Sequence, residues 1–294
     1  MSLPHFLDIR PSHRPRYVLI PLPYDAGSTR PGSRLAPKAI LDASQCVESY
    51  DELLDVDLQR LRYRTAPPLV PKRGERQRAY LDRVRAAAAL AHRQGAVPIG
   101  IGGEHSVLAP LVEALAGARG KKDFSVVVFD AHSDLRKVHN GSLWSHACST
   151  RRVVEMGIDT TVIGLRSLLP EHRRAGARLI FADDVRKGRW KRMLAGIRKN
   201  IYLSIDVDVF DLGLMPAATN PEPGGISWGE FSDILTHLAR SRTVLAGDVV
   251  ELCPPAGPSC AAATAARALV RLVALSEASS RNSPSPARGG RGLG

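Results

Sequence analysis

The 294 residues carry 44% hydrophobic side chains and a formal charge of +12, a composition too rich in apolar residues for a disordered chain and sufficient for a sizeable core. No apolar run approaches the roughly 18 residues of a membrane span, and the N-terminal stretch scatters Pro, Arg and His where a secretory signal would be apolar. Cys46, Cys148, Cys253 and Cys260 show no Cys-x-x-Cys spacing, so reduced thiols in a soluble, cytoplasmic protein with no membrane partner are expected. Basic residues are spread along the chain (Arg60, Arg62, Arg64, Lys72, Arg73, then Arg173, Arg174, Lys191, Arg192) without aromatic interleaving, which argues for a solvated basic surface and against a nucleic-acid site.

In chain order, short apolar runs predict strands at 17–21, 96–101, 124–129, 161–165, 201–205 and 244–250. Helical patterns fall at 75–94, 107–118, 147–156, 190–199, 228–240 and 261–275. This alternation predicts an α/β fold, a three-layer, doubly wound, mostly parallel sheet, with sites along the edge formed by the C-terminal strand ends. Residues 1–275 read as one catalytic domain, and residues 276–294, rich in Ser, Pro, Gly and Arg, as a disordered basic tail. No internal repeat is found.

Three segments each follow a predicted strand: Gly102-Gly103-Glu104-His105-Ser106, Asp130-Ala131-His132-Ser133-Asp134 and Ser204-Ile205-Asp206-Val207-Asp208. If the strands are parallel, these residues converge on one edge, where so many buried charges require partners. Divalent metal ions fit, and a set of four carboxylates and two imidazoles without thiolate favours manganese over structural zinc. Six ligands exceed what one ion with an open position needs, and Asp130 and Asp206 are suited to bridge two. Two such ions lower the pKa of a shared water far enough to supply hydroxide near neutral pH. The Gly-Ile-Gly-Gly run before Glu104 lacks the Lys-Ser/Thr and the spacing of a phosphate loop.

Together with Pro23-Tyr24-Asp25-Ala26-Gly27, Arg30-Pro31-Gly32 and Val249-Val250-Glu251-Leu252, these motifs resemble the ureohydrolases, the family of arginase, agmatinase and their relatives, over nearly the whole chain. The resemblance implies an arginase/deacetylase-like fold with two manganese ions per subunit. His105, Asp130, Asp134 and Asp206 would hold one ion, and Asp130, His132, Asp206 and Asp208 the other. It further implies that Glu251 pairs with the substrate guanidinium, that His146 relays protons or steadies the substrate, and that Glu222, in the 221–225 loop, contacts substrate. Attack of the bridging hydroxide on the guanidinium carbon would then release urea, with Asp134 passing its proton to the leaving amine. Relatives commonly form trimers or hexamers, so a homo-oligomer is expected.

Ser145-His146-Ala147-Cys148 and Met215-Pro216 resemble the prokaryotic agmatinase and aminopropylagmatine ureohydrolase branch, so agmatine or a longer guanidino-polyamine is the expected small substrate. Arg136-Lys137-Val138-His139 departs from it, being cationic where a distal ammonium would lie. That favours an acidic guanidino substrate such as 4-guanidinobutanoate, unless the two cations face solvent or a subunit interface. A metal-free scaffold or a nucleic-acid binder would be distinguished by metal analysis, urea assay and salt-dependent binding.

Overall fold

The computed structural model describes residues 3–281. Its strands, in chain order, are β1 (Tyr17–Leu22), β2 (Tyr50–Asp51), β3 (Val56–Asp57), β4 (Tyr63–Thr65), β5 (Val97–Gly102), β6 (Phe124–Phe129), β7 (Thr160–Leu165), β8 (Arg178–Phe181), β9 (Asn200–Asp206) and β10 (Thr243–Val250). Its α-helices are α1 (Ala36–Ser44), α2 (Gln77–Arg93), α3 (Leu108–Arg119), α4 (Ser149–Glu155), α5 (Ala182–Arg186), α6 (Trp190–Met193), α7 (Trp228–Ser241) and α8 (Cys260–Arg281).

Eight strands form one sheet in the order β4-β1-β5-β10-β9-β6-β7-β8, with every neighbouring pair parallel. β2 and β3 make a separate antiparallel ribbon. Because side chains alternate across a strand, each central strand feeds two cores. Val126 and Val128 of β6 pack with α2 and α3 on one face. Val127 and Phe129 pack with α1, α7 and α8 on the other. Between β5 and β6 the chain skips two places in the sheet, which β10 and β9 later fill. Such a reversal of winding leaves a crevice at the C-terminal strand ends, and all the central strands end there.

The structure departs from the sequence expectations in definite places. The helix predicted at 190–199 stops at Met193; beyond it the backbone tightens into a turn, with the Ile197 N–H donating to the Leu194 carbonyl at 3.3 Å, and the Arg242 guanidinium donates to the Leu194 and Ala195 carbonyls. The helix predicted at 261–275 is longer by about one and a half turns: α8 runs to Arg281 with Ser276 and Ser279 buried. Ser276 donates to the Val244 carbonyl at 3.0 Å, and the Val244 N–H donates to Ser279 at 3.1 Å, which ties the helix to the start of β10. The remaining part of the expected tail, 282–294, lies outside the described residues. No helix among the described residues is long and apolar enough to cross a membrane.

Candidate metal centre and substrate cleft

His105 opens a short 3-10 turn after β5, and its position depends on Gly103. A Cβ at Gly103 would strike the Tyr24 carbonyl, the same carbonyl that accepts the Glu104 N–H at 2.8 Å. Glycine here lets the chain turn tightly between the ends of β1 and β10. Asp130 follows β6, Asp206 ends β9, and Asp208 lies in the turn beyond it. These positions on β5, β9 and β6 converge at the crevice.

The side chains meet closely. His105 Nδ1 lies 3.2 Å from Asp130 Oδ2, 3.1 Å from Asp134 Oδ2 and 3.3 Å from Asp206 Oδ2. His132 Nδ1 lies 2.8 Å from Asp208 Oδ2 and 3.7 Å from Asp130 Oδ1. Two groups therefore have ligand-atom spacings suited to a metal, His105-Asp130-Asp206 and Asp130-His132-Asp208, and Asp130 belongs to both. His105 Nδ1 and Asp130 Oδ2 are buried without a hydrogen-bond partner among the described residues although they face one another. Converging donor atoms that do not satisfy one another fit a cation, and the oxygen-rich set fits a hard or borderline divalent ion.

The electrostatics point the same way. Burial pushes the Asp206 carboxyl well above the usual carboxylate range, and the Asp208 and Asp130 charges add to this. Asp130 is raised by burial and by Asp208 and Asp134. Burial opposes charge on His132, yet hydrogen bonding with Asp130 and Asp208 outweighs it and lifts the imidazole to about 12. The cluster thus retains protons to offset its negative charge, and bound divalent ions would displace them.

Around the cluster lies a cleft of about 300 Å³ lined by His132, Asp134, Arg136, His146, Asp206 and Glu251, among others. Glu251 follows β10 in left-handed backbone, at φ +65°. Its Oε1 accepts the His105 N–H at 2.6 Å, and its buried Oε2 has no hydrogen-bond partner among the described residues. Asp134, also left-handed at φ +50°, accepts from the Ser149 hydroxyl at 3.0 Å. His146 Nδ1 lies 2.8 Å from the Gly27 carbonyl. A carbonyl only accepts, so Nδ1 carries the hydrogen and a neutral His146 has its lone pair on Nε2. Glu222 is placed further out, its Oε2 3.9 Å from His132 Nε2.

The sequence reading missed two structural features here. Arg166, after β7, donates to the carbonyls of Asp208, Val209, Glu222 and Pro223, so it fastens the 221–225 loop to the metal-side turn. Nothing in the sequence around a lone arginine marks that role. The second is Asp248, fully buried inside β10; a carboxylate within a predicted buried strand was a visible signal.

Comparison with known proteins agrees with this geometry. The sequence profile of the arginase family matches residues 15–275. An agmatinase of Pyrococcus horikoshii is 32% identical over 267 residues, covering 88% of this chain and 92% of its own. An N(1)-aminopropylagmatine ureohydrolase of Thermus thermophilus is 34% identical over 252 residues, 83% of this chain and 85% of its own. The crystal structure of an agmatine ureohydrolase of Thermoplasma volcanium has a TM-score of 0.79 and 28% identity, covering 91% of this chain and 92% of that one. By profile, by sequence identity and by fold, the chain belongs to the arginase family.

Proposed function

We propose that this arginase-family hydrolase releases urea from agmatine or aminopropylagmatine with two manganese ions per subunit, held by His105, Asp130, Asp134 and Asp206 and by Asp130, His132, Asp206 and Asp208. The observation that carries the reading is the sharing of Asp130 by two adjacent ligand groups at the floor of a cleft. Two divalent ions held there would make water nucleophilic near neutral pH and polarise the guanidinium.

The chain's own residues supply binding and proton transfer. The unpaired Glu251 Oε2 suits a guanidinium N–H, fixing the central carbon above the cluster. Water oxygen bonds to that carbon, and the bond from carbon to the alkyl-bearing nitrogen breaks. Asp134 takes one of the water's protons and returns it to the departing nitrogen; the proton left on the new oxygen then passes to the amine, so neutral urea and an ammonium leave. His146 Nε2 faces the substrate as an acceptor when neutral and a donor when protonated. Glu222 contacts the substrate from the 221–225 loop, its Oε2 being 3.9 Å from His132 Nε2. Assembly as a trimer or hexamer and residence in the cytoplasm belong to the same reading.

A second reading, a carboxylate-bearing guanidino substrate, is favoured by one observation. Arg136 lines the cleft and carries no side-chain ion pair or hydrogen bond among the described residues. The cleft continues past Arg136 and His172 into another of about 650 Å³ lined by Lys137, Arg151 and Arg174, with Glu171 as its carboxylate. Acid at the floor and base at the outer wall suit a guanidinium joined to an anion. The test is urea release with manganese from agmatine, aminopropylagmatine, arginine, 4-guanidinobutanoate and guanidine. Preference for either amine supports the first reading, preference for 4-guanidinobutanoate the second, and no urea from any of them sinks both.

A further inference from the structure

We infer that a buried chain of side chains, Tyr202, Asp248 and Ser204, positions His105: it holds the imidazole hydrogen on Nε2 so that Nδ1 is presented as a bare donor to the carboxylate cluster. The inference rests on the metal reading above and concerns residues that do not themselves face the substrate.

The placement follows from the sheet. β9 and β10 are neighbours, with Ser204 opposite Asp248 and Tyr202 opposite Ala246. Residues 202 and 204 share one face of β9, as 246 and 248 share one face of β10. On the other flank of β10, Asp248 lies opposite Gly100 of β5, the strand that leads to His105. The three side chains thus meet in a buried layer directly beneath the cluster.

The hydrogens leave one arrangement when Asp248 is ionised. Ser204 Oγ donates to Asp248 Oδ1 at 2.6 Å, and the Tyr202 hydroxyl donates to Asp248 Oδ2. A serine hydroxyl has one hydrogen. Having given it to Asp248, Ser204 offers only lone pairs to His105 Nε2, which lies 3.1 Å away. Nε2 must therefore be the donor, whether the ring is neutral or protonated. The other nitrogen, Nδ1, is the one that lies 3.1 to 3.3 Å from Asp134, Asp130 and Asp206. Any proton there is the one that a cation replaces.

Asp248 needs such an explanation. It is fully buried, its carboxylate has two hydroxyl partners, and among the described residues no lysine or arginine is paired with it. A buried carboxylate without a counter-charge is costly if its only purpose is to join two strands, since an apolar pair would do that at lower cost. Seen from His105, it is the negative end of a relay that makes Nδ1 more basic, as carboxylates behind metal-bound imidazoles do. Tyr202 occupies the second oxygen, so the carboxylate remains aligned on Ser204.

The experiment compares manganese binding by the wild-type protein with that of Asp248→Asn, Ser204→Ala and Ser204→Thr, by calorimetric titration and by electron paramagnetic resonance of the bound ions. Asn keeps the shape of Asp248 but removes its charge and replaces one acceptor oxygen with an NH2, so one of the two hydroxyls must turn around and the relay loses its negative end; Ala removes the acceptor; Thr keeps it. The expected result is that Asp248→Asn and Ser204→Ala weaken one of the two ions by about 10- to 100-fold and leave the other unchanged. The spectrum of a coupled pair then gives way to that of a single ion at metal concentrations that fill both wild-type sites, and Ser204→Thr restores the pair. Thermal melting checks that the variants are folded. Full retention of both ions, or equal loss of both with a collapsed melting transition, overturns the inference. Failure of the wild-type protein to bind a pair overturns the metal reading and this inference with it.

Discussion

Glu251 spends one carboxylate oxygen on the N–H of His105, at 2.6 Å, and leaves the other buried without a hydrogen-bond partner among the described residues. Its left-handed backbone costs roughly 1–3 kcal/mol for a non-glycine residue. The geometry is held by the Glu251 N–H donating to the Gly103 carbonyl and the Thr219 N–H donating to the Glu251 carbonyl. Glu251→Gln should preserve the bond to His105 while turning an NH2 toward the guanidinium. A charge-assisted hydrogen bond contributes roughly 1.5–3 kcal/mol, so kcat/KM should fall about 10- to 100-fold with the fold intact by circular dichroism. A loss of less than twofold would remove Glu251 from substrate binding.

Metal removal should cost stability as well as activity. Asp130 and Asp206 are held above the usual carboxylate range by burial and by neighbouring carboxylates, so without cations the site holds protons in place of the ions that would bind there. Manganese at a hundred times its Kd would stabilise the fold by about 2.7 kcal/mol. A chelator should therefore lower the melting temperature by several degrees and abolish urea release, with both restored by manganese. Asp134→Asn and Asp208→Ala should lose urea release; substantial activity in either variant, folded and metal-loaded, would eliminate the mechanism. Asp130→Asn should resist rescue, because that side chain belongs to both ligand groups.

The convergence of the candidate ligands was legible because each lies within a few positions of a contiguous apolar strand, and a parallel sheet brings such ends together. The strand runs 124–129 and 201–205 needed little tertiary information, since they are buried on both faces. The edges were harder to read. β8 is four residues long and begins with Arg178, whose guanidinium donates to Thr161 on the neighbouring strand. The end of α8 looked like a tail because serine is read as solvent-seeking, whereas Ser276 and Ser279 satisfy the backbone of Val244 where β10 changes register. The loop clamp by Arg166 escaped notice because its acceptors are backbone carbonyls, which every sequence possesses.

Arg136 gives a specificity test. It lines both the cleft at the carboxylate cluster and the basic cleft beside it, where it would oppose a distal ammonium and attract a carboxylate. Arg136→Glu reverses that preference. With a half-exposed ion pair contributing roughly 1 kcal/mol, the ratio of kcat/KM for agmatine to that for 4-guanidinobutanoate should rise about tenfold or more. An unchanged ratio would show that the Arg136 guanidinium does not meet the substrate.

His92 should contribute an acid limb to stability that is separate from the metal centre. It lies in the last turn of α2, and its Nε2 is buried without a hydrogen-bond partner among the described residues. Burial, assisted by the Arg119 charge, lowers the imidazole from 6.5 to about 4. The folded state therefore favours the neutral ring, while the unfolded chain accepts a proton at the higher pH. The contribution is complete above the unfolded value of 6.5 and is lost as pH falls through about 4. His92→Leu removes the proton-binding difference. Between pH 7 and pH 5 the wild-type melting temperature should fall more steeply than that of the variant, measured with the same buffer and metal content. Parallel curves would mean that the His92 ring reaches water in the folded protein and titrates normally.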